Sequence, residues 1–202
     1  ERPSSVVKEL VENSIDAGAS QITVEIKSGG VEHIKVIDDG HGIPTEEVAI
    51  AFQRHATSKI DSEEQLDAIA TLGFRGEALP SIAAVSRSVI TTRQPLEPGG
   101  FRLELLWGET VSSGAQGCPA GTAVEVSDLF GNLPARRKFL RSSSAETSRI
   151  QELVSRYALV FPGIRFQLLV GGRVSFTSPG NGLPREALLA VYGPQAATSM
   201  LE

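Results

Sequence analysis

The sequence predicts an α+β domain, and a few observations carry that prediction. Apolar residues recur at helical spacing in Ser5 to Ala17 and Ser142 to Phe161, whereas short alternating runs joined at glycine pairs read as strands and hairpins. No heptad run, low-complexity tract or repeat with a period of ~20 to 50 residues is present, which excludes coiled coils and solenoids. With 202 residues, 41% of them apolar, the chain has material for a core of one or two domains.

In chain order, Val7, Leu10, Val11 and Ile15 form one stripe of a helix over 5–17, with Pro3 and Ser4 as start signals and Gly18 as the stop. Ile22, Val24 and Ile26 alternate with polar residues, Gly29-Gly30 turns the chain, and Ile34 and Val36 resume the alternation, giving a strand, a hairpin and a second strand. That strand runs into Asp38-Asp39-Gly40-His41-Gly42-Ile43-Pro44. Thr45, Glu46 and Glu47 open a helix expected to reach Arg54. His55 to Ile60 reads as loop, and the capping-box spacing of Asp61 and Ser62 with Glu64 and Gln65 predicts a short helix near 62–70. The glycine-punctuated stretch Leu72 to Leu79 leads into another helix. Two strand runs between Ser88 and Trp107 flank Pro95 to Gly100, and Thr122 to Val126 is a further strand, an arrangement that suits antiparallel pairing. Ser142 to Phe161 is a long helix, followed by a hairpin of Ile164 to Val170 and Val174 to Phe176 around Gly171-Gly172. Pro179 to Pro184 reads as a linker, with Arg185 to Tyr192 opening a second unit.

Composition narrows the functional classes. The formal net charge of -5 argues against a surface built throughout to coat nucleic acid. One cysteine, Cys118, three histidines and no C-x-x-C pair offer neither an internal disulfide nor a zinc framework, so a reducing compartment is expected. No apolar run long enough for a membrane span and no secretion signal is visible, which predicts a soluble protein without a membrane partner. The opening at Glu1 and the stop at Leu201-Glu202 predict a fragment of a longer protein.

On a helical wheel Glu9, Glu12, Asn13 and Asp16 fall together opposite the apolar stripe, a pattern that is ordinarily a solvated face. Its neighbours give it another reading: an Asp-Gly loop at the end of a strand, then further glycine loops. A nucleotide site needs a group that reads a base, backbone free to point N–H groups at phosphates, and oxygen ligands for magnesium. Glu9 can act as a general base for water attacking a γ-phosphate, and the Asn13 amide oxygen, one turn on, can enter a magnesium shell. Asp38 can accept a hydrogen bond from an exocyclic amine, which suits adenine and disfavours the O6 of guanine. Gly40 and Gly42 let the chain turn away beneath a base, although a tight turn alone explains them equally well. Gly73 and Gly76 read either as loop punctuation or, with Gly76 before a helix, as a phosphate cradle. No G-x-x-x-x-G-K-[ST] occurs, so a P-loop is excluded.

Val7-Lys8-Glu9-Leu10-Val11-Glu12-Asn13-Ser14-Ile15-Asp16-Ala17-Gly18 and Asp38-Asp39-Gly40-His41-Gly42-Ile43 resemble the first two motifs of the GHKL ATPases, a superfamily of gyrase subunits, heat-shock chaperones, sensor kinases and MutL. Arg54 to Ile60, Leu72 to Leu79 and Asp128 to Leu140 resemble the MutL family of DNA mismatch-repair ATPases specifically, and the likeness runs from Glu1 to about Leu140. The resemblance implies a two-layer α/β sandwich with a mixed, largely antiparallel sheet, helices on one face and the nucleotide between the layers. It implies ATP and Mg2+ as cofactors, Glu9 as the base, and Asn13 on the magnesium. Asp16, Gly40, Gly42 and Ile43 line the nucleotide, and Asp38 reads the adenine with help from Thr122. By the same resemblance Thr57, Ser58 and Lys59 are expected in a lid, with Lys59 a phosphate contact, and the backbone of Gly73, Phe74, Arg75, Gly76, Glu77, Ala78 and Leu79 is expected to wrap the phosphates. Asp39 departs from the Asn many members carry.

For the whole protein the resemblance implies an ATP-driven switch: homodimerisation on ATP binding, the mismatch-recognition protein MutS and DNA as partners, and a cytoplasmic or nucleoid location, nuclear in a eukaryote. Residues 1–178 would be the ATPase domain without its amino-terminal arm, and 179–202 the linker and start of the second domain. Because that arm and the second domain's lysine lie outside the chain, weak hydrolysis is expected of it alone. A nuclease, where present, belongs to a separate carboxy-terminal region. A sensor kinase would need a phosphoacceptor helix upstream and would not need Glu9, and a topoisomerase subunit would lack the segments at Gly73 to Leu79 and Pro134 to Leu140. Arg136, Arg137, Lys138 and Arg141 form a basic concentration that reads either as DNA-backbone contacts or as surface-paired arginines.

Overall fold

The computed structural model describes residues 2–53 and 77–201. Helix α1 (Pro3–Asp16) begins with proline at its first position, where the missing N–H costs nothing, and buries Val6, Val7, Leu10 and Val11 to 2% exposure or less. It starts two residues before the expected Ser5, and Ile15, in its last turn, is only partly buried. Gly18, at φ +70°, stops it. Strands β1 (Gln21–Lys27) and β2 (His33–Asp38) follow, joined by a 3-10 turn over Ser28–Gly30.

The expected helix from Thr45 is shorter than its sequence suggests. Only Thr45–Val48 (α2) is α-helical, and Ile50–Phe52 tightens into 3-10 geometry. Val48 is buried but Ile50 is 47% exposed, so no continuous apolar stripe holds a longer helix down. The expected helix at 62–70 lies outside the described residues. Chain order continues with α3 (Ala78–Ala83), β3 (Arg87–Arg93), β4 (Gly100–Leu106), β5 (Glu109–Gln116) and β6 (Gly121–Ser127). The remainder is α4 (Pro134–Lys138), α5 (Ser143–Val160), β7 (Arg165–Val170), β8 (Arg173–Thr177) and α6 (Pro184–Leu201), the last broken at Gly193 ahead of Pro194.

Among the described residues the strands form one sheet in the order β5-β4-β3-β6-β2-β1-β7-β8. Every pairing is antiparallel except β1 with β7, so the sheet is mixed and largely antiparallel, as expected for α+β. One face buries Ile22, Val24, Ile34, Val36, Ile90, Val126, Phe166 and Leu168 under α1 and α5, the latter contributing Ile150, Val154 and Ala158. The other face carries charge: Lys35 pairs with Glu125 at 2.7 Å, and Arg87 and Arg102 both engage Glu104, whose carboxyl their hydrogen bonds hold below its ordinary value. This division, apolar inside and paired charge outside, is the pattern of a one-sided antiparallel sheet.

Strand β5 is absent from the expectation. Its residues are mostly exposed, show no apolar alternation, and hold their place as an edge by backbone pairing to β4 across a bulge between Glu104 and Leu105. The expected linker is tied down rather than loose: Ser178 N–H donates to Phe166 O at 2.9 Å and Gly182 N–H to Pro162 O at 3.0 Å, before α6 packs against α5. Among the described residues no helix is long and apolar enough to cross a membrane.

Candidate functional site

The carboxy-terminal end of β2 is where the end of α1, the Asp38–Ile43 loop, the end of β3 and the start of β6 meet. Register brings them together, since Asp38 lies opposite Thr122, and Thr122 opposite Thr92. Asp38 Oδ1 accepts the N–H groups of Gly40 at 2.9 Å and Thr122 at 3.3 Å, while Oδ2 accepts the Ser14 hydroxyl at 2.8 Å. A carboxylate offers about four lone-pair positions, so these contacts fix its plane and leave Oδ2 able to accept one more donor. Burial pushes this carboxyl up from 3.8, against the Ser14, Gly40 and Thr122 hydrogen bonds that favour its charge.

The neighbouring aspartate does a different job. Asp39 Oδ1 accepts the backbone N–H groups of Ser20 and Gln21, both at 2.8 Å, and Oδ2 accepts the Ser20 hydroxyl at 2.5 Å. It pins the loop to the entrance of β1. Burial pushes its carboxyl up, but these hydrogen bonds outweigh that and hold it below 3.8. Asp39→Ala is expected to lower unfolding stability near neutral pH by about 1 kcal/mol, a figure discounted for the exposure of the group. For a depressed carboxyl the stabilisation exists above the unfolded value and is lost as pH falls through the folded one. The gap between wild type and variant, measured by denaturant unfolding, should therefore close below pH 3.8.

Two glycines of the site are demanded by space as well as by angle. Gly42 sits at φ +71°, and a Cβ there would collide with the Arg93 carbonyl. Gly121 sits at φ +111°, and a Cβ there would collide with the Asp38 carbonyl. Gly40 is buried beside Asp38, and Ile43 N–H donates to Thr92 Oγ1 at 2.9 Å. Thr92 Oγ1 also lies 3.1 Å from both Gly121 O and Thr122 Oγ1, so its hydroxyl locks the loop to β6. Neither Thr92 nor Ser14 was singled out from the sequence. Ser14 sits inside a recognised motif, but nothing local marks Thr92, whose role exists only through strand register.

On α1, Glu9, Asn13 and Asp16 are partly exposed, as the wheel predicts. Glu12 is not with them. It lies at the edge of that face and turns to α5, 7% exposed, where Tyr157 Oη donates to its Oε1 at 2.7 Å. Lys8 Nζ donates to Glu12 Oε2 at 2.7 Å and lies 3.6 Å from Glu9 Oε1. Burial pulls the Lys8 ammonium down, but the hydrogen bond and charge of Glu12, then the charge of Glu9, hold it above 10.5. Burial and the bond to Glu12 likewise raise Tyr157 above 10.0.

Glu77 immediately precedes α3, and Ala78 and Leu79 open it, with Leu79 packed on the core. Thr57, Ser58, Lys59, Gly73, Phe74, Arg75 and Gly76 lie outside the described residues. The basic stretch sits elsewhere. It follows the far end of β6, roughly 17 Å from Thr122 at the usual strand rise. There Arg137 Nη1 pairs with Asp128 Oδ1 at 2.8 Å and the Arg136 guanidinium lies 4.9 Å from the centre of the Phe130 ring. Lys138 and Arg141 are exposed.

The fold and this loop define a class: the family model described as "Histidine kinase-, DNA gyrase B-, and HSP90-like ATPase" matches residues 1–99. Within that class the chain is 52% identical over 202 residues to the DNA mismatch repair protein MutL of Desulforamulus reducens. It is 53% identical over 201 residues to the MutL of Pelotomaculum thermopropionicum. These matches take in 100% of this chain and 32% and 33% of the two proteins, so the chain spans about a third of the length of the curated relatives it matches. Among solved structures, the Aquifex aeolicus MutL ATPase domain complexed with ADP matches at a TM-score of 0.76 and 35% identity, over 95% of this chain and 69% of that one. The N-terminal domain of a DNA repair protein matches at 0.81 and 29% identity, over 98% and 58%. The chain belongs to the MutL family and has the fold of its ATPase domain.

Proposed function

We propose that this chain binds ATP at the end of β2 and that the protein containing it hydrolyses ATP slowly to drive DNA mismatch repair. The observation that carries this reading is Asp38: it is partly buried, oriented by Ser14, Gly40 and Thr122, and still able to accept a further donor such as the adenine amino group. The ADP held by the Aquifex relative supports a nucleotide here. No group of three or more His, Cys, Asp or Glu among the described residues could hold a metal by itself, and magnesium is commonly bound by one or two protein oxygens with phosphates and water completing its shell. The Asn13 amide oxygen fits that requirement. When bound, Mg2+ neutralises charge on the phosphates. Glu9 orients a water and takes its proton, Asp38 and Thr122 fix the base, and Asp16, Gly40, Gly42 and Ile43 line it. By family resemblance Thr57, Ser58, Lys59 and the segment from Gly73 to Leu79 would contact the phosphates.

In the whole protein, ATP binding would favour the homodimer and a DNA-embracing state, with MutS and DNA as partners at the cytoplasmic nucleoid, and hydrolysis would reset it. Residues 1–178 would form the ATPase unit, with 179–202 leading into a second domain. Of the basic stretch, Lys138 and Arg141 are the better candidates for DNA phosphates, because Arg137 is engaged by Asp128 and Arg136 by Phe130. Asn13→Ala tests the proposal. Titration of the full-length protein with a non-hydrolysable ATP analogue should show affinity gained from magnesium in the wild type and none in the variant. Equal magnesium dependence in both would remove Asn13 from the site.

A further inference from the structure

We infer that Glu12 and Tyr157 are positioning residues for hydrolysis: they take the closer bond of the Lys8 ammonium and so weaken its pairing with the Glu9 carboxylate, which must receive the proton of water. The inference rests on the reading of Glu9 as the base. Lys8 pairs with two carboxylates on its own helix, closely with Glu12 at 2.7 Å and more loosely with Glu9 at 3.6 Å. What decides between them is the setting of Glu12. Its side chain is 9% exposed against 38% for Glu9, and its second oxygen is fixed by Tyr157 at 2.7 Å. The Tyr157 ring is held by packing against Phe161 and Phe166, at 6.2 and 6.4 Å between centroids. A buried, hydrogen-bonded carboxylate holds an ammonium more firmly than an exposed one, where solvent and side-chain freedom weaken the pair.

The chemistry makes that choice matter. Water oxygen bonds to the γ-phosphorus, the bond from that phosphorus to the β,γ-bridging oxygen breaks, ADP leaves with the electron pair, and the water proton passes to Glu9. An ammonium closed onto Glu9 would occupy the lone pairs that must receive the proton and would reduce its basicity. With Glu12 neutral, Lys8 would turn to Glu9, one residue away.

The test is steady-state ATP hydrolysis by the full-length protein. Glu12→Gln should lower kcat about tenfold, with KM within about twofold, because the ammonium then occupies the oxygens that must receive the proton. Tyr157→Phe, a smaller change that retains the ring packing, should lower kcat about threefold by loosening Glu12. Adding Lys8→Met to Glu12→Gln should return kcat to within about threefold of wild type. Wild-type kcat in Glu12→Gln overturns the proposal, as does a loss that Lys8→Met fails to relieve. A rise in KM with a fall in melting temperature would mark a mere tie between α1 and α5, and overturns it too. Glu9→Gln separates the two readings: turnover retained there defeats the base assignment itself, whereas its loss beside a normal Glu12→Gln defeats only the role of Glu12 and Tyr157.

Discussion

Glu9→Ala is expected to lower the kcat of ATP hydrolysis by about 10² to 10⁴ in the full-length protein while ATP affinity stays within about threefold of wild type. Glu9 is partly exposed on α1, and none of the hydrogen bonds that hold the Asp38 loop involves it. The base-reading contacts therefore survive its removal, and only the acceptor for the water proton is lost. Single-turnover hydrolysis alongside equilibrium titration separates the two effects. Unchanged turnover would mean that another group takes the proton.

Asp38→Asn is the second large effect, and it falls on binding. The amide oxygen can keep the N–H groups of Gly40 and Thr122, and the Ser14 hydroxyl can rotate to accept from the new NH2, so the loop keeps its shape. Adenine's amino group then faces a donor instead of an acceptor. Leaving that polar group unpaired costs about 1–3 kcal/mol, or about 5- to 150-fold in affinity, and guanine's O6 now finds a donor. ATP affinity should fall and the preference over GTP should shrink. Wild-type discrimination in the variant would contradict base reading by Asp38. Acid should act in the same direction. Burial places this carboxyl above 3.8, so the acceptor is lost as pH falls through that raised value, while the stability of the unliganded fold shifts oppositely and declines as pH rises through it.

Much of the fold was legible because one-sided burial writes itself into the sequence. Ile22, Val24 and Ile26, with Ile34 and Val36 after the glycine turn, gave β1 and β2 almost to the residue. Strand β5 was invisible for the same reason reversed, since an exposed edge buries neither face and Glu109 to Gln116 carry no period. At the site, the motifs put Asp38 and Asp39 side by side, but only the folded chain shows that Asp39 pins the loop to β1 while Asp38 keeps an oxygen able to accept a further donor. Thr92 was unreadable because its contacts with Ile43 and Thr122 come from register between β3 and β6, which no local pattern encodes. Glu12 shows the limit of the helical wheel. Spacing put it with Glu9, Asn13 and Asp16 on the outer face, whereas the fold buries it against α5 through Tyr157, a partner more than a hundred residues away.

Adenine read at the end of β2, with the hydrolytic apparatus on α1, can be checked in a structure of the protein with magnesium and a non-hydrolysable ATP analogue. The adenine amino nitrogen should lie about 3 Å from Asp38 Oδ2, the Asn13 oxygen in the metal shell, and a water between Glu9 and the γ-phosphorus. An adenine seated away from Asp38, or a γ-phosphate beyond the reach of Glu9 through one water, would contradict it.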